Sequence, residues 1–280
     1  MPDFLNRRRL GFTYPLRVVE ELGIDRPALN FVIGAVALRP DEGTRMPDLF
    51  NPYSANYDHW AAPAAAARGA GLVDEVGDRW RATPKGRELF KRVRKEADAY
   101  LATLTPIAKA DIQRLADLLG RALTAIERSD VPKDHMGRIP YFRGDPSIPM
   151  VALENAVMGL WLARDDCHMA SWRDAGFDGP TFDVLTRVWR DEAKTEEELA
   201  SKLTTQKPAD VSAALAKLRK GGLVQPDDIA VTDRGRKARQ AIEDQTDTKF
   251  FSPWPEDVGA QGSWLAERLG AINTALAPAS

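Results

Sequence analysis

At 280 residues the chain has room for two domains of ordinary size, each with its own core. Hydrophobic residues make up 44% and charged residues 29%, which excludes a disordered or fibrous chain, and one cysteine, Cys167, excludes an intrachain disulfide framework or a multi-cysteine zinc site. The net charge of −2 argues against a protein that coats nucleic acid indiscriminately, yet it permits local basic patches.

The N-terminal stretch Met1 to Leu10 is polar and carries Arg7, Arg8 and Arg9, with no apolar run of signal-peptide length after it. The longest apolar runs, such as Phe31 to Leu38, are too short to span a bilayer, so a cytoplasmic compartment and no membrane partner are expected. Next comes Gly23-Ile24-Asp25-Arg26-Pro27, a run that returns in similar form at Gly176 to Pro180. Tyr53, Tyr57, His59 and Trp60 then form an aromatic cluster that could line a pocket for a flat effector, or serve as packing. They run into Asp58 to Gly69, where the alanines leave only Arg68 as a donor, so this helix is a poor reader of base edges. Gly71-Leu72-Val73-Asp74 and Asp78 to Ala82 predict a hairpin with Gly77 at its tip. Thr83-Pro84-Lys85-Gly86-Arg87 opens a long helix, and Arg79, Arg81, Lys85, Arg87, Lys91, Arg92, Arg94 and Lys95 make this the most basic part of the chain.

Pro132, Gly137, Pro140, Gly144, Pro146 and Pro149 interrupt any helical period between Arg128 and Ile148. A segment from Val151 to Trp172 follows, with no full counterpart earlier in the chain. Pro180 then starts a helix with Phe182, Val184, Leu185, Val188 and Trp189 on one face. Thr195-Glu196-Glu197-Glu198 starts a second helix, and Pro208 a third, with Val211, Leu215 and Leu218 as its core stripe and Gly221-Gly222 as its end. Leu223-Val224 and Ile229 to Val231 predict a second hairpin, and Thr232 caps the helix beyond it.

Four motifs occur twice in the same order, about 150 residues apart. Gly23 to Pro27 answers Gly176 to Pro180; Gly71-Leu72-Val73 answers Gly222-Leu223-Val224. Thr83 to Arg87 answers Thr232 to Arg236, and Leu115 to Gly120 answers Leu265 to Gly270. The expected fold is mainly α-helical with small β-hairpin wings: two winged helix-turn-helix units in tandem, with long flanking helices and a pseudo-twofold relation. The expected limits are 1–130 for unit one, 131–149 for a linker and 150–280 for unit two.

The run Gly71-Leu72-Val73, then Trp80 to Arg87, then two Leu-rich charged helices to Ile126, resembles the MarR-like regulators; Gly222 through Thr232 and Gly235 to Leu276 resembles the same stretch. The resemblance implies a winged helix flanked by dimerisation helices, with effectors bound between those parts. Members of that family are single-unit homodimers, so a fused tandem implies a monomer that contains its own pseudo-dimer.

In a winged helix the third helix enters the major groove and the wing reaches the adjacent backbone. The candidate DNA-contacting residues are therefore Ser212, Lys217, Arg219 and Lys220 on the third helix of unit two, Arg234, Arg236 and Lys237 at its wing exit, and Arg79, Arg81 and Lys85 in unit one. Double-stranded DNA is the expected partner and a small-molecule effector a further one. A protein-binding scaffold and an enzyme framed by the two units remain open readings. Phosphate-cradling glycine loops, nucleophile elbows and zinc-helix motifs are absent, and no cofactor, metal or catalytic residue is assigned. Asp165-Asp166-Cys167-His168, with Asp134 and His135, is the densest run of metal-ligand types, but neighbours on a helix do not converge. Glu154, in the inserted segment with Trp161, His168 and Trp172, is the first candidate for an unrecognised site.

Overall fold

Two local rules set most element boundaries: prolines and capping side chains start helices, and left-handed glycines end them. A computed structural model describes residues 1–38, 43–46, 53, 57–136 and 143–278; Gly137 and Pro140 of the expected linker lie outside these. The chain divides into two compact units, Met1–Arg45 with Ala62–Asp166 and Phe250–Ser280, and Met46–Ala61 with Cys167–Lys249.

The first unit begins with α1 (Pro2–Arg7), α2 (Tyr14–Leu22) and α3 (Arg26–Leu38). Strand β1 (Thr44–Arg45) precedes α4 (Ala61–Gly69), β2 (Val73–Val76) and β3 (Arg79–Ala82). The three strands form an antiparallel sheet in the order β1-β3-β2, with Thr44 opposite Trp80 and Val73 opposite Ala82. The expected hairpin forms, and Gly77 turns it at φ +65°. Phe31 of α3 meets Trp80 of β3 edge-on at 5.2 Å, which ties helix to sheet. Helices α5 (Pro84–Ala102), α6 (Lys109–Arg128) and the first part of α7 (Pro149–Asp174) follow, with α12 (Glu256–Gly259) and α13 (Gly262–Ala275) closing the chain. Leu101, Ile112, Leu115, Ile126, Leu153 and Leu160 are fully buried among them.

The second unit contains α8 (Gly179–Trp189), α9 (Glu196–Lys202), α10 (Pro208–Lys220) and most of α11 (Asp233–Phe251). Asp178 caps α8 by accepting the Thr181 N–H at 2.8 Å, and Thr195 caps α9 by accepting that of Glu198 at 3.1 Å. Val184, Leu185, Leu199, Val211, Leu215 and Leu218 join in one core with Val224 and Val231. These are the three helices and wing of a helix-turn-helix arrangement. The second wing is reduced: where a two-stranded hairpin was expected, Val224 and Val231 form a single antiparallel bridge, with Gln225 N–H to Ala230 O at 2.8 Å. Pro226 has no N–H to extend a ladder, and Asp228 accepts the Ile229 N–H on its own side chain instead.

One piece of local geometry occurs in both units. The Thr83 N–H bonds Leu72 O at 3.1 Å, its Oγ1 donates to Gly71 O at 2.8 Å, and that Oγ1 accepts the Gly86 N–H at 3.0 Å. Thr232 does the same with Leu223 O at 3.0 Å, Gly222 O at 2.7 Å and the Gly235 N–H at 3.0 Å. Gly71 and Gly222 are left-handed, with φ +69° and +67°. A Cβ on Gly86 or Gly235 would lie 2.1 Å from Leu72 O or Leu223 O respectively. Each long helix thus starts hard against the carbonyl that opens its wing.

Gly86→Ala and Gly235→Ala are each expected to destabilise the protein by about 2–3 kcal/mol, because backbone must shift to admit the methyl group. Gly120→Ala, within α6 and with nothing within 4 Å of the new atom, is expected to stabilise by about 0.5–1 kcal/mol. Urea unfolding of the three variants checks both directions.

Candidate nucleic-acid interface

Helix α10 buries Val211, Ala214, Leu215 and Leu218 and leaves Ser212, Ala213, Ala216, Lys217 and Lys220 exposed. Ser212 donates to the Glu196 carboxylate of α9 and to Pro208 O at 3.2 Å. Lys217 pairs with Asp178 at 2.7 Å, both side chains more than half exposed. Burial alone would push the Asp178 carboxyl up, but Lys217 and Thr181 outweigh it and hold it below the usual carboxylate range. An ion pair this exposed contributes little, so phosphate can replace Asp178 as the partner of Lys217 at small cost. Arg219 is half-buried, and its Nε donates to Gln225 O at 3.3 Å, bracing the end of α10 against the wing.

At the start of α11, Arg234, Arg236 and Lys237 are exposed; Arg236 reaches Asp233 at 3.5 Å, one turn earlier. Lys220, Arg234 and Lys237 have no ion-pair partner among the described residues. The sequence-derived residues of α10 and α11 therefore divide into an exposed set, led by Lys217, Lys220, Arg234, Arg236 and Lys237, and Arg219, which is engaged with backbone.

In the first unit, Arg79 donates to Gly43 O at 3.1 Å, inside the sheet. Lys85 Nζ donates to Ala70 O at 2.8 Å, satisfying a carbonyl past the end of α4. Arg81 is exposed on β3. Helix α4 buries Pro63, Ala64 and Ala67 and presents Ala61, Ala62, Ala65 and Ala66 outward, a face without hydrogen-bond donors. Of the aromatic cluster, Tyr53 packs at 6.0 Å from Trp172 and 6.5 Å from Phe182, so it belongs to the aromatic core around α8. The rings of His59 and Trp60 lie tilted to one another with centroids 5.3 Å apart, and Tyr57 is half-buried.

Glu154 of α7 is 3% exposed and stands among arginines that sequence reasoning did not gather. Arg9 grips it with Nε at 2.8 Å and Nη2 at 2.7 Å, Arg8 donates through Nε, and Arg94 of α5 through Nη2 at 2.9 Å. Arg94 also pairs with Asp98, and Asp98 accepts the Asp145 N–H at 3.1 Å. Burial alone would raise the Glu154 pKa, but the charges of Arg9 and Arg8, the Arg9 hydrogen bonds and Arg94 together hold it at about 2. The other residues weighed with Glu154 have different surroundings. His168 Nδ1 lies 3.0 Å from Thr246 Oγ1, Trp172 stacks on Phe182, and Trp161 is exposed. His135 Nδ1 lies 3.1 Å from Asp166, whose carboxylate accepts the N–H groups of His135 and Met136.

The depressed Glu154 pKa means that its contribution to stability is complete above the ordinary carboxylate pKa of about 4.5 and is lost as pH falls towards 2. The shift corresponds to about 3 kcal/mol. Glu154→Gln is expected to lower stability at pH 7 by about 3–5 kcal/mol, since it strands buried guanidinium charge, and to flatten the acid limb of the stability curve. Urea midpoints between pH 2.5 and 7 measure both effects; an unchanged acid limb would remove the cluster as its cause.

Residues 144–280 match the model of a helix-turn-helix family, a stretch that contains α9, α10, the reduced wing and α11. No curated protein and no solved structure matches the chain. The C-terminal half of the chain carries a helix-turn-helix domain, on a mainly helical fold with one small antiparallel sheet.

Proposed function

We propose that the chain is a DNA-binding transcriptional regulator of MarR-like type, made of two winged-helix units that arose by duplication, with limits near 1–130 and 150–280. The observation that carries this reading is the exposed basic face of α10 and the start of α11, within the stretch that matches a helix-turn-helix family. Helix α10 enters the major groove, where Ser212, Lys217 and Lys220 meet base edges and phosphates, and Arg234, Arg236 and Lys237 hold the flanking backbone. Support for the duplication comes from the threonine–glycine geometry found at both Thr83 and Thr232. The alanine face of α4 suits the first copy to a role other than base reading, with Arg81 as its contribution to the phosphate backbone. A small-molecule effector, and a monomer holding both copies, complete the reading.

Fluorescence anisotropy with mixed duplex DNA, titrated from low to physiological salt, tests it. Dissociation constants of roughly 10⁻⁴ to 10⁻⁶ M that weaken steeply with salt are expected. Arg234→Ala combined with Arg236→Ala should flatten the slope of log affinity against log salt by up to about two, and Lys220→Ala by about one. Absence of binding at low salt overturns the proposal; binding with unaltered slopes in these variants places the interface elsewhere.

A further inference from the structure

Beside Glu154 the first unit holds a cavity of about 70 Å³, lined by Arg8, Arg9, Arg94 and Arg143, by Glu154 and Asn155, and by the apolar Met136, Met158 and Leu162. Its charge is unbalanced. Four guanidinium groups line it against one lining carboxylate, and even with Asp98 beside Arg94 and Glu127 beside Arg143, one positive charge is in excess among the described residues.

Glu154 is shared by three arginines, and each guanidinium carries five N–H donors. The hydrogen bonds of Arg8 go to Glu154 and Leu5 O, and those of Arg9 to Glu154 alone among the described residues. Donor capacity therefore remains at the wall of a space that is itself large enough for several waters or one small molecule. Burial lowers the Arg8 pKa against the pull of Glu154, and the neighbouring charges of Arg9 and Arg94 lower it further. The forked geometry of arginine matches a planar carboxylate or a phosphate, and the methionines of the lining adapt to a short apolar body.

We infer that this cavity binds a small organic anion: an oxyanion head held by Arg8, Arg9 and Arg143, with a short hydrocarbon tail against Met136, Met158 and Leu162. The oxyanion chemistry is shared by carboxylates and phosphates, and the site stands independently of any DNA contact made by the second unit.

Isothermal titration calorimetry of the full chain in low-chloride buffer at pH 7 tests this with three probes: butyrate, inorganic phosphate and butyramide. Saturable binding of butyrate or of phosphate, with none of butyramide, is the expected result. Butyrate alone assigns a carboxylate head, and phosphate alone a phosphoryl one. Failure of both anions at concentrations where butyramide also fails, or equal binding of the amide, overturns the inference. Arg143 is half exposed, so Arg143→Gln should fold normally by circular dichroism and weaken the anion about tenfold or more. Met158→Trp should block the cavity and abolish binding while keeping every arginine. Anion affinity unchanged in both folded variants would likewise sink the proposal.

Discussion

One threonine that satisfies three backbone groups at once sets the pose of each wing. At Thr232 the backbone N–H meets Leu223 O, the hydroxyl donates to Gly222 O, and the same hydroxyl accepts the Gly235 N–H. The hydroxyl thus closes the carbonyl of a left-handed glycine and caps the next helix together. Because Gly235 has no Cβ, α11 approaches Leu223 until a methyl group would stand 2.1 Å from its carbonyl oxygen. That approach fixes the angle between wing and helix, and with it the position of Arg234 and Arg236 beside the end of α10. Any regulator that reads DNA through α10 depends on this angle, since phosphate contacts give register before base contacts give specificity.

The Glu154 cluster joins charge to apolar packing in the first unit. Between α1 and α2, Phe12 packs on Tyr100 of α5 at 5.5 Å, while Arg8 and Arg9 reach Glu154 of α7. Burying one carboxylate under three guanidiniums satisfies these side chains with charge-assisted bonds, at the cost of desolvating each partner. The balance is fragile in one direction. Removing Glu154 leaves mutual repulsion among Arg8, Arg9 and Arg94, whereas removing one arginine still leaves the carboxylate paired. A structural bridge alone would need no more arginines than carboxylates; the surplus at the cavity wall is what sets this cluster apart from an ordinary buried pair.

What the sequence discloses about this molecule is what depends on near neighbours. Thr83, Gly86, Thr232 and Gly235 are legible because the bonds they make lie within about a dozen residues of chain. The core stripe of α10 is legible from its 3.6-residue period. Glu154 attracts notice near Trp161, His168 and Trp172 in the inserted segment, but its partners Arg8 and Arg9 lie 146 and 145 residues away, and no periodicity links them. Arg79, Lys85 and Arg219 show the opposite difficulty. Their charge reads as phosphate-binding, yet each donates to a backbone carbonyl, of Gly43, Ala70 and Gln225 respectively. A sequence shows that a cation is present and not which carbonyl lies nearest. The second wing differs from its expected hairpin for a similarly local reason, since Pro226 and Asp228 divert the donors a ladder would use.

Helices α4 and α10 show how one backbone geometry can carry two different outward faces. Each ends in the same backbone geometry: Leu72 N–H to Ala67 O and Leu223 N–H to Leu218 O, both at 3.0 Å, followed by the threonine clasp. None of these bonds involves the outward face of the helix. Alanines at Ala61, Ala62, Ala65 and Ala66 therefore leave the pose of α4 intact while leaving Arg68 as its outward donor, whereas α10 keeps Ser212, Lys217 and Lys220 exposed. The clasp holds the fold, and the outward face sets the contact chemistry. The outward face can accordingly gain or lose donors without disturbing the bonds that hold either helix.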